Sequence, residues 1–223
     1  RLGRDPLELE LDALHVRLRV LPLFLLRLSF DAEAELGSGV VEARVSPGSG
    51  GAWDAEVQVA AVQLGAPPFK ELLTRLVGFP LGGELMADAH VSWTGAVRDS
   101  QGELRATLQG VRVGPGTAAG FTIPQVQLGQ LDLNMRLASG KLEIASFEQK
   151  GGDVTTRLSG SSALRGQAQA STLDACVELK ADAGFLDRNP NLQTAMQLAE
   201  VRLRKDGDGY LHVPLMGTLA DPR

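Results

Sequence analysis

Apolar and polar residues alternate along most of this chain, and a period of two predicts strands with one apolar face. Leu85, Ala87, Ala89, Val91 and Trp93 fall on one side of such a strand, with Asp88, His90 and Ser92 on the other. Leu104, Ala106 and Leu108 repeat the pattern, which changes parity at Gly110 and resumes at Val111 and Val113. Leu131, Leu133, Met135 and Leu137 make another run, Val154 and Leu158 flank Thr156 in the next, and Leu173, Ala175, Val177 and Leu179 follow. Together the runs predict that Leu85, Val91, Trp93, Leu104, Leu108, Leu131, Leu133, Leu142 and Ile144 face one side of a single sheet.

Closer to the start, Leu7, Leu9 and Leu11 alternate with Glu8, Glu10 and Asp12, and then Leu14, Val16, Leu18 and Val20 alternate with His15, Arg17 and Arg19. The apolar parity slips at Asp12–Ala13, which requires a bulge or turn there. Across that slip the polar face turns from acidic to basic. Glu8, Glu10, Asp12, Arg17 and Arg19 are therefore the candidate partner-contact residues, because such a charge switch steers an approaching protein. A solvated edge kept charged against aggregation is the plainer reading of the same residues. Further strands are expected at about 23–34, 38–46 and 53–62, separated by turns such as Ser46 to Gly51.

A ladder of glycines runs through the alternating region. Gly83, Gly102, Gly120, Gly140 and Gly160 are 19, 18, 20 and 20 residues apart, and three of them open a similar phrase, as in Gly83-Glu84-Leu85. With roughly ten residues per strand and turn, the period reads as one antiparallel hairpin per repeat. Two helices interrupt the strands. Pro67-Pro68 opens the first over 68–78, where Leu72, Leu73, Leu76 and Val77 fall at helical spacing before Gly78. Residues 183–199 predict the second, with Leu192, Met196 and Leu198 as packing residues. A last hairpin turns at Asp206-Gly207-Asp208-Gly209, and its return strand holds Tyr210 to Leu215. The expected fold is mainly β: a long antiparallel curved meander, gutter or sandwich with two short helices, in one domain over 1–223.

Composition narrows the function. The chain has 223 residues, 43% of them hydrophobic and only 4% aromatic, so it can bury a core built from Leu, Val and Ala. A net charge of −5 and the lack of a Lys/Arg cluster argue against nucleic acid. The single Cys176 permits no internal disulfide, which fits a cytosolic or a periplasmic protein. Val20 to Leu26 is the longest apolar run, far short of the ~20 residues that span a bilayer. Without an initiator Met or a signal peptide, the sequence reads as a trimmed fragment whose anchor would precede Arg1.

Candidate chemistry is sparse, and no catalytic, cofactor or metal residue is assigned. His15, His90 and His212 each fall on the polar side of a strand with no neighbour at metal-ligand spacing. Cys176 alternates with Asp174, Glu178 and Lys180, on a polar face as well. Gly160-Ser161-Ser162-Ala163-Leu164 lacks the second glycine of a nucleophile elbow. Gly114 to Gly120 has no following Lys-Ser/Thr, so it reads as a strand connection and not as a phosphate loop. Asp206 to Gly209 lacks the later ligands of a calcium loop.

Surface bookkeeping is more informative. Ten strands of about seven residues give a sheet face of roughly 1,100 Å². Two helices of about 25 residues cover about 380 Å² of it. More than half the apolar face must fold on itself, meet another protein or hold acyl chains. A closed, dry core would favour a scaffold, and an open gutter lined by Leu and Val would favour lipid.

Four segments resemble a known family. They are Phe121 to Leu131 with Gly140-Lys141-Leu142-Glu143-Ile144, Gly152 to Gly160, and the terminal Pro214 to Arg223. Their order is similar to the type II secretion system protein N of delta-proteobacterial lineages. The broader AsmA-like β-repeat proteins, associated with envelope lipid traffic, share the Gly-x-Leu strands and the closing Gly-Thr-Leu-x-x-Pro. The resemblance implies a non-enzymatic protein anchored in the inner membrane with its bulk in the periplasm. Its implied partners are other secretion proteins, of the inner-membrane platform or the outer-membrane channel. An AsmA-like lipid-binding or lipid-transfer module is the alternative.

Overall fold

The computed structural model describes residues 13–20, 28–36, 38–67, 69–77, 79–118, 121–166, 170–201, 203–218 and 221–222. Its strands in chain order are β1 (Ala13–Val20), β2 (Leu28–Leu36), β3 (Gly39–Pro47), β4 (Trp53–Gln63), β5 (Leu81–Trp93), β6 (Gln101–Val113), β7 (Gly116–Ala118) and β8 (Phe121–Ile123). They continue as β9 (Val126–Ala138), β10 (Lys141–Lys150), β11 (Val154–Ala163), β12 (Thr172–Ala181), β13 (Arg204–Lys205), β14 (Leu211–Thr218) and β15 (Asp221–Pro222). The helices are α1 (Phe69–Val77), α2 (Ala183–Arg188) and α3 (Pro190–Glu200).

Eleven strands form one antiparallel sheet that does not close, in the order β1-β2-β3-β4-β5-β6-β9-β10-β11-β12-β14. The two-residue strands β13 and β15 add to β14, and β7 and β8 pair separately. Every neighbour in the large sheet is also the next long strand in sequence, so the topology is a meander. Of the expected forms, an open meander is the one observed: the described residues hold one large sheet, and the only other is the two-stranded β7–β8 pair.

Register carries the apolar pattern across the sheet. Ala32 faces Ala43, which faces Val57, then Ala89, Leu104, Met135 and Ile144. A second row runs Ala34, Val41, Val59, Ala87, Ala106, Leu133 and Phe147. The nine residues expected on one side all lie there.

Bulges keep these rows on one face where the sequence changes parity. The register shifts between Val59 and Val62 in β4, between Gly82 and Glu84 in β5, and between Leu108 and Val111 in β6. Gly83 has φ 133° and Gly110 has φ 59°, a left-handed backbone that glycine adopts without strain. The three shifts lie on neighbouring strands, because Val62 faces Leu85 and Leu85 faces Leu108. Bulges bend a strand and increase its twist, so a row of them curls one end of the sheet. At this end lie the buried side chains Leu36, Val62, Leu64 and Val111.

All the long excursions leave from that same end. α1 joins β4 to β5, the β7–β8 hairpin joins β6 to β9, and α2–α3 join β12 to β13 and β14. α1 meets β5 and α3 meets β8. Phe185, Leu192, Tyr210 and Leu211 are buried here too. The opposite end has short links, such as the two-residue turn Ser139-Gly140 between β9 and β10.

Several expectations change. The helix expected over 183–199 is two helices, which makes three α-helices among the described residues. Residues before proline disfavour the helical region, and Asn189 before Pro190 sits at φ −133°. Asp182 caps α2 by accepting the Phe185 N–H at 3.1 Å, and Pro190 opens α3, where its missing N–H is harmless. The glycine period holds one strand and not one hairpin per repeat between Gly83 and Gly102, because β5 and β6 run to 13 residues each. Gly140 lies in a turn, whereas Gly83, Gly102 and Gly160 lie inside strands. The connection that starts at Gly114 includes a small strand pair of its own, β7 with β8. The slip at Asp12–Ala13 and the strand from Leu7 to Asp12 fall outside the described residues.

Candidate functional site

The apolar face is the largest feature that the fold leaves unpaired. Eleven strands span about 48 Å, and at about ten residues each the face covers roughly 1,600 Å². The three helices, of 9, 6 and 11 residues, cover less than a third of such an area at their ~10 Å width. Burial shows where they stop. Val62 and Val111, at the capped end, are 1% and 2% exposed. Val57, Leu104, Leu133, Met135 and Ile144, in the middle rows, are only half-buried, each shielded by its neighbours along and across strands. Near the far end Trp53 faces Trp93 across β4 and β5, and Trp53 and Phe30 are exposed at 37% and 42%. The face is thus plugged at one end and open over the middle rows of β2 to β10, while Leu137, Ser162 and Ala175 are buried toward the opposite end.

One polar stitch interrupts it. β10 and β11 pair only through Lys141–Glu143 with Ser161–Ala163. At the other end of this seam the Gln149 side chain spans the gap, on the face that carries Leu131.

The opposite face is polar and laced with ion pairs. Arg44 donates to Asp31 at 2.8 Å, Lys141 meets Glu143 at 2.6 Å, and Lys150 meets Asp132 at 3.2 Å. Hydrogen bonds from Gln130 and Thr107, then Lys150, hold Asp132 below the usual carboxylate range. A shallow depression at the Ala145 bulge is lined by Glu103, Arg105, Asn134, Arg136 and Ser146, with Leu104 and Met135 beneath. Such pairs are what a solvated face requires and do not define a site.

Of the candidate partner-contact residues, Glu8, Glu10 and Asp12 lie outside the described residues. Arg17 and Arg19 lie in β1, paired in register with Asp31 and Ser29. The register therefore sets Arg17 opposite an acidic residue of β2.

The histidine reading needs a correction. His212 does have neighbours at ligand distance, supplied by the adjacent strand and not by sequence spacing. It faces Glu178 directly across β12 and β14, and Cys176 lies diagonally on the same face. His212 Nδ1 is 3.5 Å from Glu178 Oε1 and 4.0 Å from Cys176 Sγ. On the other side, His212 Nε2 is 3.4 Å from Asp206 Oδ2. The Asp206 turn is the expected hairpin turn: Gly209 has φ 89° and its N–H donates to Asp206 O at 3.2 Å. It also carries a carboxylate to the imidazole. The Tyr210 N–H, 2.8 Å away, leads in holding Asp206 below the usual range, with His212 adding to it.

No family model, no curated protein and no solved structure matches this chain. Among the described residues no helix is long and apolar enough to cross a membrane.

Proposed function

We propose that this protein works by binding and not by catalysis, as a non-enzymatic periplasmic component of a type II secretion system. The observation that supports a binding role is the uncovered apolar face, continuous over neighbouring strands from β2 to β10. Exposed apolar area well above a few hundred Å² marks a contact surface, because water-facing patches of that size promote aggregation. In this reading the face, or a sheet edge, meets another secretion protein; the secretion assignment itself rests on the sequence resemblance. The experiment replaces Leu104 with Glu, at mid-face, and measures export of secreted enzymes in cells. Loss of export with the variant still folded supports the reading, and unchanged export argues against a contact there.

One observation favours a second reading. The middle rows are open and lined by Leu, Val, Ala and Met, which is the arrangement expected of a surface that shields acyl chains. An AsmA-like lipid-binding module of the envelope accounts for that openness better than a self-packed scaffold does. Mass spectrometry of the protein isolated from membranes tests it: co-purified phospholipid at about one or more per chain, lost in the Leu104→Glu variant, supports this occupant.

A further inference from the structure

We propose that Cys176, Glu178 and His212 form a zinc site on the polar face of β12 and β14, with Asp206 orienting the imidazole. The strands build the arrangement. Cys176 and Glu178 are two apart and so share a face, and Glu178 and His212 are a directly opposed pair. Their ligand atoms all lie within 4.8 Å of one another. Tetrahedral zinc, with bonds of about 2.3 Å to sulfur and about 2.0–2.1 Å to nitrogen or oxygen, sets ligand separations of about 3.4–3.6 Å. The observed 3.5 Å from Nδ1 to Oε1 already fits, and the 4.0 Å from Nδ1 to Sγ needs a closure of only a few tenths of an ångström.

The second carboxylate points the same way. Asp206 Oδ2 lies 3.4 Å from Nε2, on the other side of the ring from the Nδ1 atom that faces Glu178 Oε1 and Cys176 Sγ. A carboxylate behind a ligating histidine is the usual support for zinc, since it fixes the tautomer and ring orientation. Glu178 is held for single-oxygen ligation: Arg157 Nη1 meets Oε2 at 3.7 Å, leaving Oε1 toward His212. Arg157 itself stacks 4.0 Å from the Tyr210 ring centre. The thiol, imidazole and carboxylate set suits zinc among common divalent ions, and one coordination position is left for solvent. Bound there, zinc would clamp β14, near the edge of the sheet, to β12.

The test uses cobalt(II) as a spectroscopic stand-in for zinc, followed by zinc competition, on the purified full chain. A thiolate-to-cobalt band in the near ultraviolet, saturating at one metal per chain and displaced by zinc, is expected. His212→Gln and Glu178→Gln should weaken binding at least tenfold, and Cys176→Ser should abolish the band. Asp206→Asn should weaken binding about 10–100-fold, as for other supporting carboxylates. His90→Ala, on another strand, should bind as the parent does. Far-UV circular dichroism confirms that each variant is folded. Zinc should also raise the midpoint of thermal unfolding in the parent and in His90→Ala, and not in Cys176→Ser. The proposal is overturned if no thiolate band forms, or if His212→Gln binds like the parent. It is equally overturned if the cluster behaves only as a protonated histidine between two carboxylates, with stability that follows pH and ignores zinc and chelator.

Discussion

Gln149 takes the place of a stretch of ladder that Thr156 would otherwise share with the neighbouring strand. Its Oε1 accepts the Thr156 N–H at 2.5 Å and the Thr156 hydroxyl at 2.6 Å. Its amide donates to the carbonyls of Leu128, Gly151 and Val154 at 2.8, 3.1 and 2.7 Å. One side chain thus ties β9, β10 and β11 together at the end of the seam where the two later strands part. Replacing Gln149 with Leu leaves these groups unpaired in a half-buried setting. At about 1–3 kcal/mol for each buried group left unsatisfied, with water serving some of them, the expected loss is about 3 kcal/mol. Urea denaturation measures it, and a loss under about 0.5 kcal/mol would show that solvent replaces the stitch.

Gly83 tests the bulge row. Its φ of 133° excludes most side chains, and a Cβ there would stand 2.9 Å from the Gln109 carbonyl oxygen. Gly83→Ala should cost about 1–3 kcal/mol, while Gly207→Ala, with nothing within 4 Å of its Cβ, should cost far less. Equal effects in thermal unfolding would mean that the bulge is not needed.

Leu133 reports on whether the face is covered. In a packed core, Leu133→Ala would cost about 2–5 kcal/mol. Here Leu133 is half-buried between Ala106 and Phe147, so the expected loss is about 1 kcal/mol. A loss above 2 kcal/mol in the purified protein would reveal a layer over the middle rows.

Acid should destabilise the sheet through Asp132 and Asp206. Both carboxyls are held below their ordinary values in the folded protein. Their contribution is therefore complete above the unfolded carboxylate range and is lost as pH falls through the lower folded values. Asp132→Asn should flatten the fall in stability between neutral pH and about pH 3 relative to the parent. A parallel curve would remove Asp132 from the account.

Much of this was legible because side-chain alternation is a direct record of which face is apolar. The strands over 53–63 and 81–93 stand close to where Val57, Val59, Leu85 and Val91 put them, and α1 lies within its expected span. The parity change after Leu108 announced a bulge. The similar changes from Val59 to Val62 and from Ile144 to Phe147 carry the same signal at two further bulges. Cys176, Glu178 and His212 were hidden for a different reason: residues 176 and 212 meet only through β12–β14 register, which no local spacing encodes. Alanine at His15 or His90 should leave folding and export unchanged, whereas Cys176 and His212 belong to the proposed zinc cluster. Reversing Glu8, Glu10 and Asp12 tests the steering idea, and a silent secretion assay would end it.

The central claim is that the open apolar face is where this protein binds. A photo-reactive benzoylphenylalanine at Met135, on that face, can be compared with one at its neighbour Arg136, which is exposed on the polar side. After irradiation of cells and mass spectrometry of the adducts, the account predicts abundant crosslinks from position 135, to a secretion protein or to phospholipid, and few from position 136. Equal labelling from both faces, or none from position 135 with the protein folded and in place, would contradict it.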